Sequence, residues 1–582
     1  VSFPRIGAGA PERGPLAAVV IVGSVAVAGL WGRVPWWVAP AAATVVAITL
    51  TVRVGERTAV RWLLDWCDYR FGRQARQDLL HRPARLRDVE VAAGVCGVRE
   101  DGSSYVAMVQ LAPNLDLPTV IAERELYTED TVPVQDLLPM LDQFGVRIEI
   151  DIVTTGQRVR PAGSYSMLYD QLIGPHPVVG DRMTWLVLRL DPEHNLEALV
   201  RRGPVAESAP RALASAAHRI AGRLRERGMA AHALPAEALG DAIRLLHAGV
   251  ELTDLRETWH HLESSVPGRS VTSYLIDWTR LGDAGLDDCW SWHRGRTTVV
   301  VSLAGGALGA RGLVRYVGPA SSVAPPGYLR PLGGRQAEAL RASLPTSTSV
   351  HRIPRTESGG DTATPEQLDA LTIAIGPSGQ ILGSISGRPK HTLALPLFDP
   401  VRYNPRHRTI DVYADLPVAQ QIVLRAMVVG ADVEVHSARP QRWQQLVTAV
   451  GDPDSLRLAP DASDAEQTPA AAAQATIAVF DQIPPRASAA HTTVTISEPG
   501  APRRRSADLA IDQVSETAID VSIPMRTVRV DLIEPRGETR YLDSMGNPPA
   551  AGPPAITVAG GGSMPPAGPA HVVGAESDEV RR

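Results

Sequence analysis

The chain has 582 residues, 44% of them hydrophobic and 21% charged, with a formal net charge of −5. That balance supports ordinary packed cores and gives no overall pull toward nucleic acid or acidic lipid. Lys390 is the lone lysine among 58 basic residues, and it stands in Arg388-Pro389-Lys390-His391-Thr392, without the Gly-Lys-Ser/Thr that cradles phosphates, which argues against a Walker-type ATPase.

Residues 16–31 and 34–52 are apolar and uncharged. Each is near the roughly 17–25 residues that cross a bilayer core of about 30 Å. Only Gly32 and Arg33 lie between them, so residues 1–53 are expected to form a two-helix transmembrane hairpin. The expected membrane-anchoring residues are Leu16, Val20, Val25, Leu30, Trp31, Trp36, Trp37, Val46 and Leu50, with the tryptophans at the outer interface. Arg5 and Arg13 before the first span, and Arg53 and Arg57 after the second, outweigh Arg33. They set both termini and the large domain on the cytoplasmic side of a multi-pass inner-membrane protein. A cleaved signal peptide is the weaker alternative, because a second apolar span follows at once.

Residues 54–87 read as a membrane-proximal helix and linker, with Val60, Leu63, Leu64, Cys67 and Phe71 on one stripe. Residues 88–345 alternate strands and helices and are expected to form a cytosolic α/β domain. Its expected elements are a strand pair at 89–98 and 105–111, a helix at 134–144 and a strand at 147–153. A short helix at 166–173 and a fully buried strand at 184–190 come next. Helices at 209–227 and 235–247 and a second buried strand at 297–303 complete it. A polar linker, 346–366, precedes a small α+β module at 367–460, with strands near Ile373, Ile410 and Val433 and a helix at 418–429. Residues 461–545 read as an Ala-rich spacer and a weak β module. Residues 546–582, rich in Pro, Gly and Ala, read as a disordered tail.

Cys67, Cys96 and Cys289 are too few and too scattered for a disulfide framework or a zinc site, and read as reduced thiols. Gly383-Ser384-Ile385-Ser386-Gly387 fits the G-x-S-x-G elbow, with Asp399 and His407 following in triad order. No helix is expected after it, so a hairpin turn is the preferred reading. Gly306, Gly309 and Gly312 lack dinucleotide spacing. Glu149 with Asp151, and Asp287 with Asp288, are acid pairs without a D-x-D pattern. His260-His261 lacks the i, i+4 spacing of a zinc helix. No catalytic, cofactor-binding or metal-binding residue is assigned.

Several blocks in order carry a family resemblance. They are Tyr165-Ser166-Met167-Leu168-Tyr169 with Gly174-Pro175, then Arg182-Met183-Thr184-Trp185-Leu186-Val187-Leu188-Arg189-Leu190-Asp191-Pro192. Arg201-Arg202-Gly203, Ala216-Ala217-His218-Arg219 and Leu234-Pro235-Ala236-Glu237 follow. Over residues 10–345 the chain resembles the EccE proteins of the type VII (ESX) secretion systems of mycobacteria and related actinobacteria. The resemblance implies a non-catalytic structural subunit, without cofactor, that supports assembly of an inner-membrane export machine. It implies EccB-, EccC- and EccD-type partners, with EccC supplying the ATPase, and a core likened to a degenerate glycosyltransferase. The alternatives are a membrane-attached glycosyltransferase-like enzyme and a serine hydrolase using the second cytosolic module.

Overall fold

The strand Met183–Leu190 is buried along its whole length because both faces of its sheet are covered. Leu186, Leu188 and Leu190 point into one core, shared with Leu213, Ile220 and Leu224 of the helix Val205–Glu226. Met183, Trp185 and Val187 point into another, shared with Leu239, Ile243 and Leu246 of the helix Ala236–Leu246 and Leu340 of the helix Gln336–Ala342. Successive side chains of a strand face opposite ways, so a sheet sandwiched between helices needs apolar residues at every position.

This computed structural model describes residues 84–542, apart from 102–103, 123–124, 162, 283–284, 293–294, 305–308, 322, 346–352, 355–358, 460–474, 505, 525 and 536. It also describes residues 6–8, 52–54, 57–58, 66–67 and 69–70. The first large sheet has twelve strands among the described residues. Its centre runs Ser270–Ile276, Ala310–Gly318, Arg296–Leu303, Glu149–Gly156, Met183–Leu190, Ser104–Leu111, Gly94–Asp101 and Arg85–Val91. Every one of these pairings is antiparallel.

The second large sheet also has twelve described strands. Six neighbours are parallel, in the order Leu456–Leu458, Val433–Ser437, Ile477–Asp481, Thr492–Ser497, Arg408–Tyr413 and Leu509–Ser515. The helices Leu416–Val428 and Pro440–Val450 make the crossovers that parallel strands require. The remaining pairings are antiparallel, through Ala518–Ile523, Arg526–Leu532, Gln380–Ile385 and Arg388–Leu395. The outermost strands, Thr119–Ile121 and Leu126–Tyr127, come from the chain between two strands of the first sheet. The two sheets therefore interlock through one continuous chain.

The expected fold class is corrected in three ways. Among the described residues no helix is long and apolar enough to cross a membrane. The described pieces of the N-terminal region include short strands, Ile6–Ala8 pairing with Val52–Val54, and Val54 and Arg53 pairing with Arg57–Thr58. Val52, expected at the end of the second span, is thus a strand residue, while residues 16–51 lie outside the described residues. Second, the body expected to be α/β is antiparallel, because continuous burial reports two covered faces and not strand direction. Third, the parallel half of the second sheet takes three strands from the segment expected to be α+β and three from the segment read as a spacer and weak β module. Locally, the helix expected at 134–144 is two 3-10 turns, Val134–Asp136 and Leu138–Met140, and a hairpin, Asp142–Gln143 with Val146–Arg147. Pro139 and Gly145 interrupt that helix-like spacing. The tail expected to be disordered lies outside the described residues.

Candidate functional site: the crevice between the sheets

A crevice of about 1070 Å³ lies where loops of the two sheets meet. Residues within 112–117, 129–136 and 227–232 line it on one side, and Asp399, Asn404, Pro405 and Arg406 of the second sheet's chain line it on the other. The chain must leave a strand at each of these points, so polar backbone and carboxylates gather there.

Asp399 is 1% exposed. Its Oδ1 accepts the backbone N–H of Val401 at 3.0 Å and its Oδ2 that of Arg406 at 3.0 Å. Burial pushes its pKa up to about 6, against the lowering effect of those two bonds. Asp130 accepts the N–H groups of Asn114 and Gly376 on Oδ2, at 3.2 and 3.1 Å. Burial raises it likewise, to about 6, opposed by the same bonds and by the Arg182 cation. A side chain at Gly376 would meet Pro113 at 2.4 Å, which is why a glycine stands over this carboxylate.

Asp116 ties the two sheets. It accepts Arg406 Nη2 at 2.7 Å and Arg408 Nη2 at 3.0 Å. The Arg408 side chain is fully enclosed and also donates to the carbonyls of Leu115 and Pro396, at 2.8 and 2.6 Å. Desolvation lowers its pKa to about 10. Gln110 donates to the Tyr403 carbonyl at 2.9 Å, and Asp136 pairs with Arg227 at 2.8 Å. Most charged groups here are thus committed to the protein itself. Asp130 Oδ1 accepts no hydrogen bond among the described residues.

The expected membrane-anchoring residues Leu16, Val20, Val25, Leu30, Trp31, Trp36, Trp37, Val46 and Leu50, with Arg5 and Arg13, lie outside the described residues. Arg53 and Arg57 lie on the short strands Val52–Val54 and Arg57–Thr58. The G-x-S-x-G segment forms the hairpin of Gln380–Ile385 and Arg388–Leu395, with Gly387 at φ +79°. Ser386 Oγ donates to Asp531 Oδ1, and His407 is exposed away from any bond to Asp399. Asp151 is buried against Arg189 at 2.8 Å. His260-His261 stands at a hairpin beside Leu262–Glu263, not on a helix. Cys96 and Cys289 are buried thiols; Cys67 is partly exposed. Among the described residues no cluster of three or more His, Cys, Asp or Glu side chains is placed to hold a metal ion. Sequence reasoning did not single out Asp116, Asp130 or Arg408. No local pattern marks them, since Asp116 and Arg406 are 290 positions apart.

The family model described as "Putative type VII ESX secretion system translocon, EccE" matches residues 178–276. The matched stretch holds the buried strand Met183–Leu190, both helices that sandwich it and the strand Ser270–Ile276. The chain is 29% identical over 320 residues to the ESX-1 secretion system protein EccE1 of Mycolicibacterium smegmatis, covering 54% of this chain and 65% of that relative, just under two thirds. It is 25% identical over 469 residues to the ESX-2 secretion system protein EccE2 of Mycobacterium tuberculosis, covering 77% and 82%. It is 27% identical over 340 residues to the ESX-5 secretion system protein EccE5 of Mycobacterium marinum, covering 54% and 81%. Over these stretches the chain is similar to the EccE proteins of type VII (ESX) secretion systems.

Proposed function

We propose that this protein is a non-catalytic structural subunit of a type VII (ESX) secretion complex, supporting assembly and stability of the machine at the inner membrane. The observation that carries this reading is the similarity to EccE relatives of three ESX systems, reaching across both sheets in the EccE2 match. The crevice is in keeping with it. Asp116, Arg406 and Arg408 spend bonding capacity fastening one sheet to the other, and Asp399 closes the loop 399–406 of the second sheet, as a scaffold requires. The partners are EccB-, EccC- and EccD-type membrane subunits, with EccC as the motor.

Affinity purification of the tagged chain in mild detergent tests this reading. Co-purification of an ATPase and further membrane subunits is expected. A protein that elutes alone and shows transferase or hydrolase activity overturns it. Ser384→Ala and Ser386→Ala should leave secretion intact, because both residues sit in a hairpin. A second reading, sugar transfer in the crevice, is favoured by one feature: the open Oδ1 of Asp130 on a carboxyl with a raised pKa, as a general acid needs. Asp130→Asn separates the two readings, since secretion persists under the first and is lost with normal protein levels under the second.

A further inference from the structure

Behind the crevice, a smaller cavity of about 220 Å³ is lined by Arg182, Asp287, Trp290, Thr154, Val299 and Ile373, among others. Arg182 is 2% exposed. Its guanidinium carbon lies 5.1 Å from the centre of the Trp290 ring. Among the described residues no hydrogen bond or ion pair reaches the guanidinium, and Nε is enclosed and unbonded. A buried cation without hydrogen-bond partners is strongly disfavoured, so a site of this kind calls for a complement.

The other polar groups around the cavity narrow the choice. Leu371 C=O already accepts Val134 N–H at 3.0 Å, and Thr154 Oγ1 shares a bond with Thr184 Oγ1 at 3.2 Å. Asp130, whose charge Arg182 feels, is held by two backbone N–H groups. Asp287 has no hydrogen-bond partner for its carboxyl among the described residues; burial raises its pKa and the nearby Arg182 cation opposes that rise. The unused donor capacity of the cavity sits on the Arg182 guanidinium. Ala370 and Thr372 on the rim are exposed, so the cavity reaches solvent.

We propose that this cavity binds a small oxyanion, a carboxylate or phosphate group, on the forked N–H donors of Arg182, with the Trp290 ring holding the guanidinium plane. The volume admits an anion of a few heavy atoms, or the carboxylate end of a chain entering past Ala370 and Thr372.

Isothermal titration of the full chain with inorganic phosphate and with acetate, in a chloride buffer, tests the site. Saturable one-to-one binding of either probe is expected, and which one binds distinguishes the phosphate from the carboxylate source. A folded protein that binds neither overturns the proposal. Arg182→Gln should weaken binding about tenfold or more; unchanged affinity means an adventitious ion only, and overturns it. Asp287→Asn should bind at least as tightly, because a like charge is removed. A comparable weakening there means that the carboxylate holds a cation, and the proposal fails. Should Arg182→Gln not fold, Arg182→Lys decides: it keeps the charge without the fork, so weaker binding is expected and equal binding overturns the fork geometry.

Discussion

Asp130 and Asp399 are carboxyls whose pKa burial raises to about 6. Between about pH 4 and pH 6 the folded state then holds more protons at these positions than the unfolded chain. Their contribution to stability is present at the acid end of that window, falls as pH rises through it, and is flat above. The Asp130→Asn variant isolates the effect, because the amide oxygen can take over both backbone bonds that Oδ2 accepts. Urea melts at about pH 4.5 and pH 7 should show a smaller fall in stability for the variant, by about 1–3 kcal/mol. An unchanged difference would mean that Asp130 ionises normally. Glu538 is a buried acid held in an ion pair inside the core. It pairs with Arg425 at 2.9 Å, accepts from Gln421 at 2.8 Å and from the Tyr165 hydroxyl, and both members of the ion pair are enclosed. Glu538→Ala leaves Arg425 without its counter-charge and should cost about 3–5 kcal/mol in chemical denaturation. A loss below about 1 kcal/mol would place the pair in solvent.

At the scale of elements, the hydrophobic pattern located most strands and helices but not strand direction. The run from Met183 to Leu190 announces a strand covered on both faces, and the helices Val205–Glu226 and Ala236–Leu246 provide the cover. Direction depends on which strands become neighbours, and Glu149–Gly156 pairs antiparallel with both Met183–Leu190 and Arg296–Leu303, the latter about 150 residues away. One contact fixes how the second helix seats on its sheet. A Cβ at Gly97 would lie 2.5 Å from Ala236 N and 2.7 Å from Pro235 C. Gly97 N–H donates to Leu234 C=O at 2.7 Å, and Asp88 Oδ1 accepts Ala236 N–H at 2.7 Å. Gly97→Ala must therefore push the start of the helix off the strand, at a cost of about 1–3 kcal/mol or more. Thermal melting checks this; a variant within about 0.5 kcal/mol of the parent would show that the helix start yields freely.

For the whole molecule, the second sheet makes a specific demand on chain length. Arg408–Tyr413 lies between Thr492–Ser497 and Leu509–Ser515, and Val433–Ser437 lies beside Ile477–Asp481. A chain ending at residue 459 would leave Arg408–Tyr413 with no neighbour and divide the sheet into separate pieces. Open strand edges and exposed apolar faces then favour aggregation. Such a truncation is expected in the insoluble fraction. A soluble, monomeric truncation with a sharp melting transition would show that the strands of 477–532 are dispensable. Local chemistry was legible in the residues alone: the periodicity of helices such as Ala236–Leu246, the burial of Met183–Leu190, the lack of a Walker lysine and the ordered blocks that carry the resemblance to the EccE proteins. Strand direction, the sharing of one sheet by the strands of 119–127 and 477–532, and the meeting of Asp116 with Arg406 and Arg408 arise only when distant segments pack together. The physical reason is range. Propensity and amphipathicity act over a few residues, whereas a buried charge or a sheet neighbour is chosen by whichever distant segment completes its hydrogen bonds.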